Sequence, residues 1–217
     1  MANDGCIYYL PNGDVRILKL DPSDGDRFSI VEVLVMSRDG GYTAAVLGND
    51  GYIYGFSWSR IIKFSPTDHS VYYIGSEFEE YPSWVGAVLA EDGNIYSVSS
   101  RQLIIQVDTV NIDWKVIDSK KFKGNVSTLG CPVLGSDKCI YMPPLNNDRV
   151  VKFNPHTKKF AMIGESYGES SWKWDGAVLA PDGFIFCIPH DFGKILQIDS
   201  RHTNEKVVEM IEKLSHE

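Results

Sequence analysis

The sequence has few cysteines and no pair of them spaced as CxxC. Cys6, Cys131, Cys139 and Cys187 lie far apart, and the five histidines are equally scattered, so no zinc-type ligand cluster is written in the chain. Cys6 and Cys139 each precede an Ile-Tyr pair and Cys187 follows Phe186, positions where a free thiol serves as a small buried hydrophobe. The reading is a reducing, cytoplasmic setting with no metal and no cofactor. Basic residues are also short. Lys and Arg number 21 against 29 Asp and Glu, for a net charge of −8. That excludes the basic face that nucleic acid or an anionic membrane would need. No apolar run approaches the roughly 18–20 residues of a membrane span. The start, MANDGCIYYLPNGD, has no basic segment followed by an apolar one, so no secretory signal is read there. No catalytic signature turns up either, and no Ser or Cys nucleophile sits in a recognisable motif. A hydrophobic fraction of 43% still excludes disorder.

What the chain does have is repetition. Residues 86–96 read GAVLAEDGNIY and residues 176–186 read GAVLAPDGFIF. Anchoring on the isoleucine of this element gives Ile7, Ile53, Ile95, Ile140 and Ile185, spaced by 46, 42, 45 and 45 residues. Upstream of four anchors stand AAVLGN, GAVLAE, CPVLGS and GAVLAP. Downstream of all five stand ILKLDP, IIKFSP, IIQVDT, VVKFNP and ILQIDS, and then FSIVEV, VYYIG, WKVID, FAMIG and KVVEMI.

Each unit therefore holds four short segments, a to d, rich in β-branched and aromatic residues and bounded by turn residues. The a–b link, as in Pro181-Asp182-Gly183, predicts a type I turn with a left-handed glycine. Lys138 holds that glycine position in the fourth unit, which predicts backbone strain. Asp-Pro, Ser-Pro and Asn-Pro steps mark the c–d turns. No helical pattern separates the strands, so βαβ topology is excluded. Four-stranded antiparallel units every 40–50 residues are propeller blades. The expected fold is all-β: one β-propeller domain over residues 1–217, with units at about 1–36, 37–80, 81–123, 124–169 and 170–217. Gly86, Ala87, Gly176 and Ala177 in segment a fit an inner strand crowded by its neighbours.

The unit W-x-G-A-V-L-A-x-D-G-x-I-Y-x-x-P…I-L-x-I-D-P resembles the repeat-type β-propellers: kelch, NHL and, most closely, streptogramin-lyase-like repeats. The resemblance covers essentially the whole chain. It implies a fold, while function varies widely among propellers. The catalytic histidine set of the lyases and the Glu/Asn/Asp metal set of gluconolactonase-like propellers have no counterpart that aligns here. The first unit begins at Ala2-Asn3-Asp4-Gly5, already in the a–b turn, so that blade lacks its innermost strand. In the tail EMIEKLSHE, Met210, Ile211 and Leu214 have helical spacing. Three closures stay open: a five-bladed ring with one three-stranded blade, a longer protein with more blades, or a partner on the open edge.

Propellers bind on the face bearing the d–a and b–c loops. The candidate binding residues there are Trp58, Arg60, Trp84, Arg101, Asn146, Trp174 and His190. Aromatics beside Arg, Asn and His suit sugars, peptides or other polar small molecules. Recurrence of Trp84 and Trp174 with the repeat is also explained by packing alone. His190 beside Asp191 hints at an oriented imidazole, with no nucleophile motif to accompany it. The acidic, aromatic loops SEFEEYPSW and GESYGESSWKW place Phe78, Tyr81, Tyr167 and Trp172 as a candidate exposed patch. The functional expectation is a non-enzymatic binding or scaffold module with a protein or peptide partner, or a polar small molecule. The alternative is a small-molecule enzyme of the streptogramin-lyase or gluconolactonase kind.

Overall fold

The computed structural model describes residues 1–12, 16–34, 41–79, 82–100, 103–117, 128–168, 170, 172–201 and 208–212. Arg101 and Tyr81 lie outside the described residues. Nineteen strands form five antiparallel sheets among them. The first sheet holds β1 (Ile7–Tyr9), β2 (Arg16–Asp21) and β3 (Arg27–Leu34). The second holds β4 (Tyr42–Leu47), β5 (Ile53–Ser57), β6 (Ile61–Phe64) and β7 (Val71–Ile74). The third holds β8 (Trp84–Leu89), β9 (Ile95–Ser99), β10 (Ile104–Asp108) and β11 (Asp113–Ile117). The fourth holds β12 (Val133–Leu134), β13 (Ile140–Met142), β14 (Val150–Asn154) and β15 (Lys159–Ile163). The fifth holds β16 (Trp174–Leu179), β17 (Phe184–Pro189), β18 (Lys194–Asp199) and β19 (Val208–Glu212).

Within every sheet, chain order is spatial order, the meander expected of a blade. The first sheet has three strands, and its turn is already closed at the start: Ala2 N–H donates to Cys6 O at 2.8 Å. The same bond recurs as Gly48 to Tyr52, Gly135 to Cys139 and Ala180 to Phe184. The a–b glycines Gly5, Gly51, Gly93 and Gly183 have φ between 78° and 88° as the turn requires. Lys138 takes their place at φ 65°, the strained position read from the sequence.

Two expectations change. Met210 and Ile211, claimed both by segment d (KVVEMI) and by the helical spacing of the tail, belong to the strand, because β19 pairs along β18 with Ile195 opposite Ile211 and Leu196 opposite Met210. The periodicity of five residues was too short to decide between the two. Gly176 is not crowded: a Cβ added there would meet nothing within 4 Å, and Val178 two residues on is exposed. Strand a of this blade is short of neighbours at that point, so steric fit does not explain its glycine.

The packed chain falls into two compact units. One is Met1–Leu89 with Gly93–Ser97 and Ile105–Lys115; the other is Ala90–Asp92, Val98–Ile104 and Val116–Glu217. In the first, a core of Cys6, Tyr8, Ile17, Ile53, Ile62 and Phe64 joins the first two sheets. In the second, Tyr141, Val150, Trp174, Ile185, Leu196 and Ile198 join the last two. Strands β5, β9 and β13 are buried on both faces, the serines of β5 and β9 included, while β7 and β11 are largely exposed.

A polar tie repeats with the blades. Asp4, Asp50 and Asp137 each accept from the hydroxyl of the tyrosine four residues on, Tyr8, Tyr54 and Tyr141, at 2.7, 2.7 and 3.1 Å. Each tyrosine faces a lysine across the ladder, Lys19, Lys63 and Lys152. Those ammonium groups reach the same carboxylates at 3.2, 2.8 and 2.7 Å. The cluster fixes the a–b turn to the third strand. In the third and fifth units Gln106 and Gln197 replace the lysine, and Phe186 replaces the tyrosine.

Candidate ligand-binding site

The loops of the second compact unit build one corner. The segment leading into β16 holds Trp172 at φ 57°, a left-handed conformation that costs an indole-bearing residue roughly 1–2 kcal/mol. Neighbouring loops supply the compensation. Trp172 N–H donates to Asn146 Oδ1 at 2.8 Å, and Trp172 O accepts from Asp191 N–H at 2.8 Å. Lys173 continues the stitching, with N–H to Leu145 O and its carbonyl accepting from His190 N–H, both at 2.9 Å. At about 1 kcal/mol each, such bonds offset the strain. Asn146 is itself fixed on Thr128, backbone to backbone at 2.9 Å and Nδ2 to Oγ1 at 3.2 Å.

The Lys173 side chain is fully buried, and its ammonium donates to Gly168 O at 3.2 Å and Ser170 O at 2.5 Å. Burial pushes its pKa below the ordinary lysine value, opposed by the charge of Asp148. The lysine clasps its own loop from within and carries Trp172 on the outside.

Trp172 is 49% exposed, and its indole lies 5.3 Å from the His190 imidazole at 40°. The imidazole Nδ1 is 2.9 Å from Asp191 Oδ1, and both side chains are open to solvent. An imidazole that donates from Nδ1 to a carboxylate leaves Nε2 as an acceptor. The corner therefore offers an aromatic face, an imidazole edge and a carboxylate.

The remaining candidates fall differently. Trp174 is buried, bonded from Nε1 to Lys194 O at 2.7 Å and edge-on to Tyr167 at 5.1 Å. Trp84 repeats this in the first compact unit, with Nε1 to Ser57 O at 2.8 Å and Phe78 at 5.2 Å. Neither offers a face to solvent. Phe78 and Tyr167 are buried against these tryptophans, so of the candidate patch Phe78, Tyr167 and Trp172 only Trp172 is exposed. Trp58 is 40% exposed in the loop after β5. Arg60 nearby is ion-paired with Glu77 and stacks 4.8 Å over Tyr73, so its charge is spent locally. Trp58, Arg60 and Trp84 thus share one loop cluster of the first unit, and Asn146, Trp174 and His190 share one of the second.

Elsewhere in the second unit, a cavity of about 510 Å³ is lined by Glu91, Asp92, Asp137, Lys138, Asn154, Pro155 and His156. Pairs of 3.5 Å, Lys138 to Glu91 and Lys158 to Asp92, flank it. Among the described residues no group of three or more His, Cys, Asp or Glu is placed to hold a metal. No helix among them is long and apolar enough to cross a membrane.

The meander sheets and their buried inner strands have close parallels among solved structures. A streptogramin B lyase superposes with a TM-score of 0.78 at 16% identity, over 99% of this chain and 67% of that one. A catalytically inactive virginiamycin B lyase from Staphylococcus aureus, with quinupristin, gives 0.78 at 12% identity, over 99% and 69%. The WD40 repeats of RRP9 give 0.69 at 12% identity, over 94% and 58%.

These likenesses show the β-propeller fold.

No protein-family model and no curated protein matches the chain's sequence. The propeller fold carries both lyases and WD40 repeats among these neighbours, so it does not choose between enzyme and binding module. The sequence offers Asn146 and His190 as candidates but not Lys173, and places Trp172 only in a general aromatic patch. The signal for both was the WKW triplet, of which only the last tryptophan recurs with the repeat.

Proposed function

We propose that this propeller is a non-enzymatic binding module whose ligand or partner seats on the loop corner of Trp172, His190 and Asp191. The observation that carries this reading is Trp172: a half-exposed indole in a left-handed backbone conformation, held there by Asn146 and Asp191. Strained residues persist where surroundings over-determine them, and they concentrate at ligand clamps. Exposed, rigid tryptophan is also the side chain most enriched at binding hot spots. Arrays of peptides and glycans, probed with the wild-type chain and with Trp172→Ala, test the reading. Binders should lose at least tenfold in affinity to the variant. Binders indifferent to it overturn the site.

A second reading is favoured by the His190–Asp191 contact, an imidazole with an oriented tautomer as in acid–base catalysis. Among the described residues no hydroxyl or thiol is bonded to that imidazole. Chromatography of quinupristin incubated with the chain separates the two readings. The binding reading expects unaltered quinupristin, and catalytic conversion would overturn it.

A further inference from the structure

Resting on the binding reading, the corner's chemistry narrows the class of ligand. We propose that Trp172, His190 and Asp191 form a pyranose subsite: the indole stacks on the C–H face of one sugar ring while the His190 and Asp191 acceptors take two of its hydroxyls.

The first support is that fixed charges of both signs stand at the corner. The Asp191 carboxylate is on the imidazole at 2.9 Å, and Asp148 is engaged by Ser166 at 3.2 Å and Arg149 at 3.7 Å. The Lys173 ammonium is buried on two carbonyls next to Trp172 in the chain. A cationic side chain would meet the field of that lysine, and an anion would meet the exposed Asp191 carboxylate. A neutral polar ligand meets neither penalty.

The second support is geometry. The indole and imidazole planes meet at 40° with centroids 5.3 Å apart, so they form an open angle rather than a closed stack into which a flat aromatic ligand would slide. One wall is apolar. The other ends in acceptors: Nε2 of an imidazole whose Nδ1 faces Asp191, and the second oxygen of that carboxylate. A pyranose ring has this division of surface, with a C–H face for the indole and edge hydroxyls that donate. The third support is preorganisation. The Trp172 backbone is held by two hydrogen bonds, and its indole, beside His190, is half exposed.

The experiment is an NMR titration of the full chain with methyl pyranosides of glucose, galactose, mannose and N-acetylglucosamine, following the indole N–H signals and the His190 ring. At least one glycoside should shift the Trp172 indole and the His190 ring along one saturable curve, in the millimolar range, and leave the buried Trp84 and Trp174 signals in place. Trp172→Ala should abolish the His190 shift. Asp191→Asn should weaken the same titration severalfold and is the control should Trp172→Ala disturb its loop. If no pyranoside moves the Trp172 signal, the sugar class is overturned. If peptides from the array move it instead, the binding reading stands and only the ligand class falls. If glycosides move Trp58 and not Trp172, both the subsite and the site fall.

Discussion

The Lys152 ammonium lies 2.7 Å from the Asp137 carboxylate, and the two side chains are only 11% and 3% exposed. The same tie in the first blade, Lys19 to Asp4 at 3.2 Å, is 26% and 32% exposed. One motif thus sits in two solvent environments, and its energetic weight should differ accordingly. Removing one member of a buried pair leaves an uncompensated charge, at about 3–5 kcal/mol. Removing one from a half-solvated pair costs about 1 kcal/mol or less. Lys152→Met should therefore destabilise the chain by several times more than Lys19→Met, read as the shift in urea midpoint at unchanged slope. Equal shifts would mean that the tie is not the anchor of the a–b turn.

Lys138 is the exception among the a–b turns, holding φ 65° where four sister turns have glycine. Its pair with Glu91 is more than half exposed on both sides and offsets little of the strain. Lys138→Gly should leave stability unchanged or raise it by up to about 1 kcal/mol. The reverse change, Gly183→Lys, meets φ 88° and places a Cβ 2.5 Å from Arg201 Cγ. It should cost more than about 1 kcal/mol. Thermal unfolding of both variants checks the asymmetry.

Two groups of the first blade set opposite ends of its pH range. Burial raises the Asp4 pKa, but bonds from Tyr8, Cys6 N–H and Lys19 outweigh it and hold the carboxyl at about 2. Its stabilisation is complete above the unfolded value near 3.8 and is lost as pH falls toward 2. Burial, then the bond to Asp4, raises the Tyr8 phenol to about 12. Its contribution is present below the unfolded value of 10 and is lost as pH rises through 12. Asp4→Asn should flatten the acid limb of the stability curve, and Tyr8→Phe the alkaline limb. Denaturant melts across pH measure both.

Asn146 acts on Trp172 through one bond, from the Trp172 N–H to its side-chain oxygen. Asn146→Ala removes that bond and the one to Thr128, and should cost about 1–3 kcal/mol locally. The loop should open faster than the β16–β18 core. Hydrogen exchange should show lost protection at 172–173 and intact protection at 176–187.

The repeat was legible because each blade solves the same packing problem, and Trp84 and Trp174 recur for that reason. The Asp–Tyr–Lys tie was not read from the repeat, because only the cross-strand register sets the Lys of ILKLD, IIKF and VVKF opposite the Tyr of IYY, IYG and IYM. The corner was not legible either. Trp172 occurs in one blade only, and its exposure depends on Asn146, 26 residues away, and on a buried Lys173 that no pattern rule places inside. Met210 and Ile211 carried two signals, the strand segment KVVEMI and the helical spacing of the tail, and pairing with β18 decides for the strand.

The central claim is that binding resides at Trp172 and not at the other exposed loop tryptophan, Trp58. Calorimetric titration of an array-identified binder against the wild-type chain, Trp172→Ala and Trp58→Ala measures this directly. The account predicts at least a tenfold loss of affinity for Trp172→Ala and none for Trp58→Ala. Full affinity in Trp172→Ala, with loss in Trp58→Ala, would contradict it.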